Sequence, residues 1–275
     1  MTDGEFPSQV AASDLRAAMA EAIPTRFVIF SLPRSGSTAL FKTLSCHSAI
    51  RCISEPFNPQ RFDGRFHKQA KDDRSLDECL ERIWSEWNGI KHVSDWTGWP
   101  FVHNPQINAR ILTRPGTRVL FLVRRNFLRR LVSWHVARQI GVWDGAKVTA
   151  HSKLAQAQLQ PLDSGWAREE IKKDRQAVEN YSHLLSAHKV PVLHITYEDF
   201  FGEDASNSCS LEQVNTVLRF LQCEPIDLEA FEDRWKSQII NRSDRFSSVG
   251  AYRMIPGIER LEEEVGSNEN GWLFR

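Results

Sequence analysis

Three short apolar runs stand out along the chain: Phe27–Leu32, Arg118–Val123 and Val190–Ile195, with Gly89–Ser94 as a further candidate. They are rich in β-branched and aromatic residues, and their length suits strands buried on both faces. Between them the period changes. Thr38–Leu44 and Asn126–Ile140 read as helices. Trp166–His188 places Ile171, Val178, Tyr181 and Leu185 on one face at helical spacing and then leads into the run at Val190. Strands alternating with helices predict an α/β fold, a single domain with a central parallel sheet flanked by helices. Ahead of it, Met1–Pro24 reads as a polar arm with a short helix, ASDLRAAMAEA, stopped by Pro24. The expected division is an arm over residues 1–25 and a domain over 26–275. Phe57–Arg74, Val142–Gly165 and the stretch from Ser243 to the C-terminus show no clear period, and such insertions in α/β proteins usually shape the substrate mouth.

Composition narrows the classes. With 275 residues, 41% hydrophobic and 25% charged, the chain can bury an ordinary core, so disorder and a fibrous fold are excluded. Lys plus Arg (35) balances Asp plus Glu (35), so there is no overall field to draw it onto nucleic acid or an anionic membrane. The apolar runs fall far short of the roughly 20 residues of a membrane span. MTDGEFPSQV lacks a signal-peptide pattern, so a cytoplasmic location is expected, with a secreted parent trimmed of its leader as the open alternative. The five cysteines (Cys46, Cys52, Cys79, Cys209, Cys223) are scattered without a CxxC pair and read as reduced, buried thiols.

The charge that matters is local. In LPRSGSTAL, a loop leads from a strand into a helix N-terminus, where backbone N–H groups and the helix dipole favour an anion such as phosphate or sulfate. Gly36 lets the backbone turn and approach, Ser35, Ser37 and Thr38 line the turn, and Arg34 adds a cationic fork. The bland alternative is a capped strand-to-helix turn. The loop is not a Walker A motif, because the GxxxxGK[ST] spacing is missing. Further on, Arg110, Arg114, Arg118, Arg124, Arg125, Arg129, Arg130 and Arg138 fall in one stretch without a single Asp or Glu. Arg125 follows a strand at the end where open sheets bind ligands, and Ser133 lies two helical turns on, so together they suit a second phosphate. Arg129, Arg130 and Arg138 read more simply as solvating the outer face of a helix.

Taken together, the two motifs resemble the sulfotransferase family that uses 3′-phosphoadenosine-5′-phosphosulfate (PAPS). PRSGST at Pro33–Thr38 looks like that family's 5′-phosphosulfate loop, and RNFLRRLVS at Arg125–Ser133 resembles its 3′-phosphate motif. YEDF at Tyr197–Phe200 is similar to a further signature whose Tyr lies near the adenine. SEPF, GIK and the arginine-rich helix look most like bacterial carbohydrate sulfotransferases of the trehalose sulfotransferase type. The resemblance implies PAPS as sulfuryl donor with no metal required, and a saccharide or other small-molecule acceptor, sulfated on oxygen or nitrogen. It also suggests a homodimer. Arg34 and Lys91 are the implied cations at the moving group, and Lys91 has a strand-edge lysine as its plain alternative. Glu55 is the implied base; Pro56 beside it places it at a strand end. His92 is the runner-up, but adjacent side chains in a strand face opposite ways, so His92 should point away if Lys91 points in. Arg245, five residues before Gly250, is the implied third contact to the 3′-phosphate, with a solvated arginine as its plain alternative. One departure stands out: Asn126-Phe127 replaces the Asp-Pro that often follows the motif arginine. The competing readings are a nucleotide kinase-like enzyme, which should bring Walker residues, and a non-catalytic nucleotide-binding module.

Overall fold

The computed structural model describes residues 25–143, 147–201, 210–235 and 249–274. The arm helix expected before Pro24, Cys209 and Arg245 lie outside the described residues.

The expected apolar runs form parallel strands β1 (Arg26–Ser31), β3 (Gly89–Val93), β4 (Thr117–Val123) and β5 (Val192–Thr196), and a three-residue strand β2 (Cys52–Ser54) completes the sheet in the order β2-β3-β1-β4-β5. Every pairing is parallel. β1 is central: the chain leaves it toward β2 and β3 on one side and later returns to β4 and β5 on the other. The C-terminal end of β1 is therefore the topological switch point, where open α/β sheets bind their ligands.

Residues along β1 alternate between two cores. Phe27 and Ile29 join Leu120 and Leu122 of β4 and pack against Leu40 and Leu44 of helix α1 (Ser37–Leu44). Val28 and Phe30 join Val119 and Phe121 on the opposite face, covered by Leu76, Leu80 and Ile83 of α2 (Asp73–Trp84) and by Ile107 and Ile111 of α3 (Gln106–Leu112). Helices on both faces explain why these strands lack an exposed, polar face. Helix α2 begins within the aperiodic stretch with a capping box, Asp72 accepting from the Ser75 backbone at 2.9 Å, and buries Leu76, Cys79, Leu80 and Ile83 at helical spacing. A third core lies behind α4 (Phe127–Ile140), where Leu128, Leu131 and Val132 meet Ile171 of α5 (Ser164–Ala187) and Ile258 and Leu261 of α7 (Ile258–Val265), which follows α6 (Leu211–Phe220). Among the described residues, no helix is long and apolar enough to cross a membrane. Cys46, Cys52, Cys79 and Cys223 form no disulfide among the described residues; Cys79 is buried as expected, whereas the other three are half-buried.

The same alternation separates Lys91 from His92. Lys91 pairs in register with Ile29 and faces α1; His92 pairs with Phe30 and faces the other core. There its Nε2–H donates to Asn108 Oδ1 at 2.9 Å, and the ring packs near Phe30 and Phe57. Burial pushes its pKa down to about 4 even though Asn108 opposes the shift. His92 is a neutral core residue.

A group held neutral in the fold but protonated in the unfolded chain withdraws stability as pH falls from its ordinary 6.5 toward about 4. Thermal unfolding between pH 7 and pH 4 should therefore show a steeper loss for the wild type than for His92→Asn, the difference approaching on the order of 3 kcal/mol at the acid end. Parallel curves would place the acid sensitivity elsewhere.

Candidate active site

At the end of β1 the chain makes the turn that the motif required. Arg34 (φ 67°) and Gly36 (φ 94°) both adopt left-handed backbone. Gly36 then caps α1 with no side-chain cap hydrogen bond, leaving first-turn N–H groups for a ligand. Loops that combine left- and right-handed residues form concavities of backbone N–H groups that bind anions. Gly36 is needed for a second reason, since a Cβ there would lie 2.4 Å from the Tyr197 ring. Ser35 and Ser37 are buried beside it.

β3 delivers Lys91 to the same place. This fully buried ammonium donates to Thr38 Oγ1 at 2.9 Å and pairs with Glu55 Oε1 at 2.5 Å. Glu55 stands at the strand end the sequence anticipated, directly after β2, with φ 51° and its N–H on the Lys91 carbonyl. Asn58 Nδ2 donates to its other oxygen at 2.8 Å, and Arg61 Nε lies 4.0 Å from that oxygen. Burial alone would raise the Glu55 carboxyl; the Lys91 charge, hydrogen bonds from Lys91 and Asn58, and Arg61 outweigh it and hold Glu55 below the usual carboxylate range. Burial likewise lowers the Lys91 ammonium, with Glu55 opposing. The result is an ionised carboxylate beside a buried cation. A cleft of about 610 Å³ opens over Arg34, Thr38, Glu55 and Lys91, walled by Trp99, Trp134 and Trp143 and by Asn58–Arg61. A second hollow of about 470 Å³ lies at the opposite end of the strands. Its arginines are already taken, Arg26 by Glu81 and Arg118 by the Phe220 carbonyl, so it gathers no comparable set.

The Arg34 side chain turns toward α4. Nε donates to Ser133 Oγ at 3.0 Å and Nη1 to the Trp143 carbonyl at 2.8 Å; burial lowers its pKa. Arg125 does not share this contact. It is exposed and pairs with Asp199 at 2.5 Å, so the structure gives Arg125 and Ser133 different partners instead of joining them. YEDF explains the arrangement around Arg125. The buried Glu198 carboxylate accepts the backbone N–H groups of Arg125 (2.9 Å) and Asn126 (3.0 Å), Asp199 takes the Arg125 side chain, and the Tyr197 ring lies against Gly36 with the Arg124 guanidinium 4.7 Å above its centre. Asn126, the departure from Asp-Pro, accepts the Arg129 N–H at 2.8 Å and caps α4, while Phe127 joins the third core.

A family model described as "Sulfotransferase family" matches residues 25–224, most of the chain. The chain belongs to the sulfotransferase family. No curated protein matches it significantly. Among solved structures, it is similar to a sulfotransferase from Alicyclobacillus acidocaldarius (17% identity over 78% of this chain and 95% of that one, TM-score 0.37). It is also similar to a retinol dehydratase in complex with androsterone and inactive cofactor PAP (12% identity, 90% and 72%, TM-score 0.28). Both superpositions are loose, and the site stands on this chain's own residues.

Family membership makes this sulfotransferase an enzyme of sulfuryl transfer and sets the kinase-like and non-catalytic readings aside. Arg34, Ser35, Gly36, Ser37, Thr38, Glu55 and Lys91 converge, with Ser133 and Tyr197 one contact away. The solvating role expected for the helix arginines is corrected for Arg130 and Arg129, whereas Arg138 is exposed as expected. Arg130 is buried, bonding the Pro33 carbonyl at 2.9 Å and pairing with Asp174; Arg129 holds the Leu273 carbonyl at 2.9 Å; Arg138 lies over Trp134 and lines the cleft. The charge on these side chains was legible, but their partners, distant in sequence, were not. Glu198 and Asn58 were missed as well. The only signal for Glu198 was its place inside YEDF, and for Asn58 its distance of three residues from Glu55.

Gly36→Ala should strain the turn by about 1–2 kcal/mol from φ alone, a fall in Tm of roughly 2–8 °C, and more through the Tyr197 contact. Adding Tyr197→Leu should recover the contact component but not the backbone component. An unchanged Tm for Gly36→Ala would contradict the assigned turn.

Proposed function

We propose that this sulfotransferase moves the sulfuryl group of PAPS to a hydroxyl, or alternatively a nitrogen, of a saccharide or similar polar small molecule. The observation that carries the reading is Lys91, a single buried cation bonded at once to Thr38 of the anion loop and to Glu55 at the cleft. Anion site, electrophilic cation and base are thereby held within one side chain's reach. The donor set, made of backbone N–H groups, hydroxyls, Arg34 and Lys91, has the chemistry of an oxyanion host.

In this reading, the N–H groups of Ser35–Thr38 hold the 5′-phosphosulfate, Arg34 and Lys91 offset the charge that grows on the sulfuryl and leaving oxygens, and Glu55 takes the acceptor proton as the new S–O bond forms and the bond to the 5′-phosphate breaks. Arg125 and Ser133 hold the 3′-phosphate, Arg245 is the proposed third contact to it, and Tyr197 lies near the adenine. The exposed Arg125–Asp199 pair costs little to exchange, since such pairs contribute under about 1 kcal/mol. The acceptor occupies the tryptophan-walled cleft, to which two of the aperiodic segments contribute Asn58–Arg61 and Trp143. Trp faces with polar neighbours suit sugar rings.

The test is PAPS-dependent product formation across a panel of saccharide and small hydroxylated acceptors. Wild type should turn over at least one of them, and Glu55→Gln should lower kcat by about 10²- to 10⁴-fold with little change in affinity for the product nucleotide. Because Glu55 is held below its ordinary pKa, kcat/KM should stay flat from about pH 8 down to about pH 5. Full turnover by Glu55→Gln would remove Glu55 as the base.

A further inference from the structure

We propose that Arg130, held in place by Asp174, is a positioning residue that sets the donor loop through the Pro33 carbonyl; this rests on the reading of that loop as the PAPS site.

Arg130 projects from α4 and Asp174 from α5, and their side chains are 6% and 2% exposed. One Arg130 nitrogen, Nη2, pairs with Asp174, while Nη1 donates to Pro33 O at 2.9 Å. At the next residue Arg124 Nη1 reaches Arg34 O at 3.4 Å. Two consecutive loop carbonyls are thus taken by guanidinium groups of the segment that follows β4. A peptide is planar and trans, so its C=O and N–H point opposite ways. Fixing the Pro33 carbonyl on Arg130 turns the Arg34 N–H away from α4, and fixing the Arg34 carbonyl on Arg124 does the same for the Ser35 N–H. Arg34 lies between these two peptides in left-handed backbone, which a non-glycine residue keeps only when its surroundings impose it. The arginines are those surroundings.

Stability alone gives a poor account of the pair. Asp174 interrupts an otherwise apolar stripe of α5, between buried Ile171 and Ala177. Buried ion pairs are often replaceable by apolar residues of similar volume without loss of stability. The Arg130 Nε is moreover buried with no hydrogen-bond partner, a further cost with no return in packing. What an apolar pair could not provide is the donor to Pro33 O. Asp174 is not among the residues that line the cleft; its ion pair is with Arg130, through which it acts.

The experiment compares wild type with the double variant Arg130→Met/Asp174→Leu, using the full chain. It measures Tm, calorimetric affinity for 3′,5′-adenosine bisphosphate, and the KM values of PAPS and acceptor separately. The double variant should keep Tm within a few degrees of wild type yet bind the nucleotide at least tenfold more weakly, with KM for PAPS raised and KM for acceptor unchanged. A merely structural pair would show wild-type nucleotide affinity once stability is restored, and that result overturns the proposal. Should the double variant fail to fold, Asp174→Asn replaces it: it should weaken nucleotide binding several-fold with acceptor KM unchanged, and wild-type affinity there is equally decisive against the proposal. Failure of the wild type itself to bind the nucleotide would instead overturn the donor-site reading, and the inference would fall with it.

Discussion

A lysine ammonium buried in a parallel sheet has to find oxygens close by, or the cost of removing it from water is not met. Lys91 finds Thr38 Oγ1 and Glu55 Oε1. Thr38 belongs to the helix that leaves β1, and Glu55 to the turn that leaves β2, so this one charge fixes the relative positions of two loops whose strands are not even neighbours in the sheet. The depressed pKa of Glu55, the floor of the cleft and the place where an acceptor would meet the donor all follow from that constraint.

A second layer fixes the backbone. The left-handed turn at Arg34 is surrounded on its outer side by Arg124 and Arg130 and on its inner side by the Tyr197 ring over Gly36. Glu198 binds the amides that open α4 and the Tyr197 ring lies against Gly36, so the YEDF segment braces both the loop after β1 and the start of α4. Arg118, Arg124, Arg129 and Arg130 of the arginine-rich segment therefore serve as internal scaffolding, while Arg110, Arg125 and Arg138 are exposed.

How much of this the sequence revealed depends on the range of each interaction. β1 and β4 are continuous buried runs and were readable directly, and the opposite orientations of Lys91 and His92 followed from strand geometry alone. PRSGST marked the anion loop because its chemistry is contiguous. β2 was legible only as the strand end expected at Glu55, because three residues carry no period, and α2 was missed because its start lay in a stretch without clear pattern. The role of Arg130 was invisible since Asp174 lies 44 residues away on a helix whose apolar face it interrupts. The tryptophans divided along similar lines: Trp84 and Trp87 pack against the core, whereas Trp99, Trp134 and Trp143 wall the cleft, a distinction that spacing does not encode.

On the proposed function, the loop after β1 and the start of α4 form a site for a nucleotide carrying both 5′- and 3′-phosphates. Calorimetric titration of the purified protein with 3′,5′-adenosine bisphosphate and with ATP, each with and without magnesium, tests it most directly. The bisphosphate should bind tightly and independently of magnesium, with affinity weakened at least tenfold by Arg125→Ala and unmatched by ATP. Tighter binding of ATP with magnesium, or an Arg125→Ala protein that binds the bisphosphate as wild type does, would contradict it.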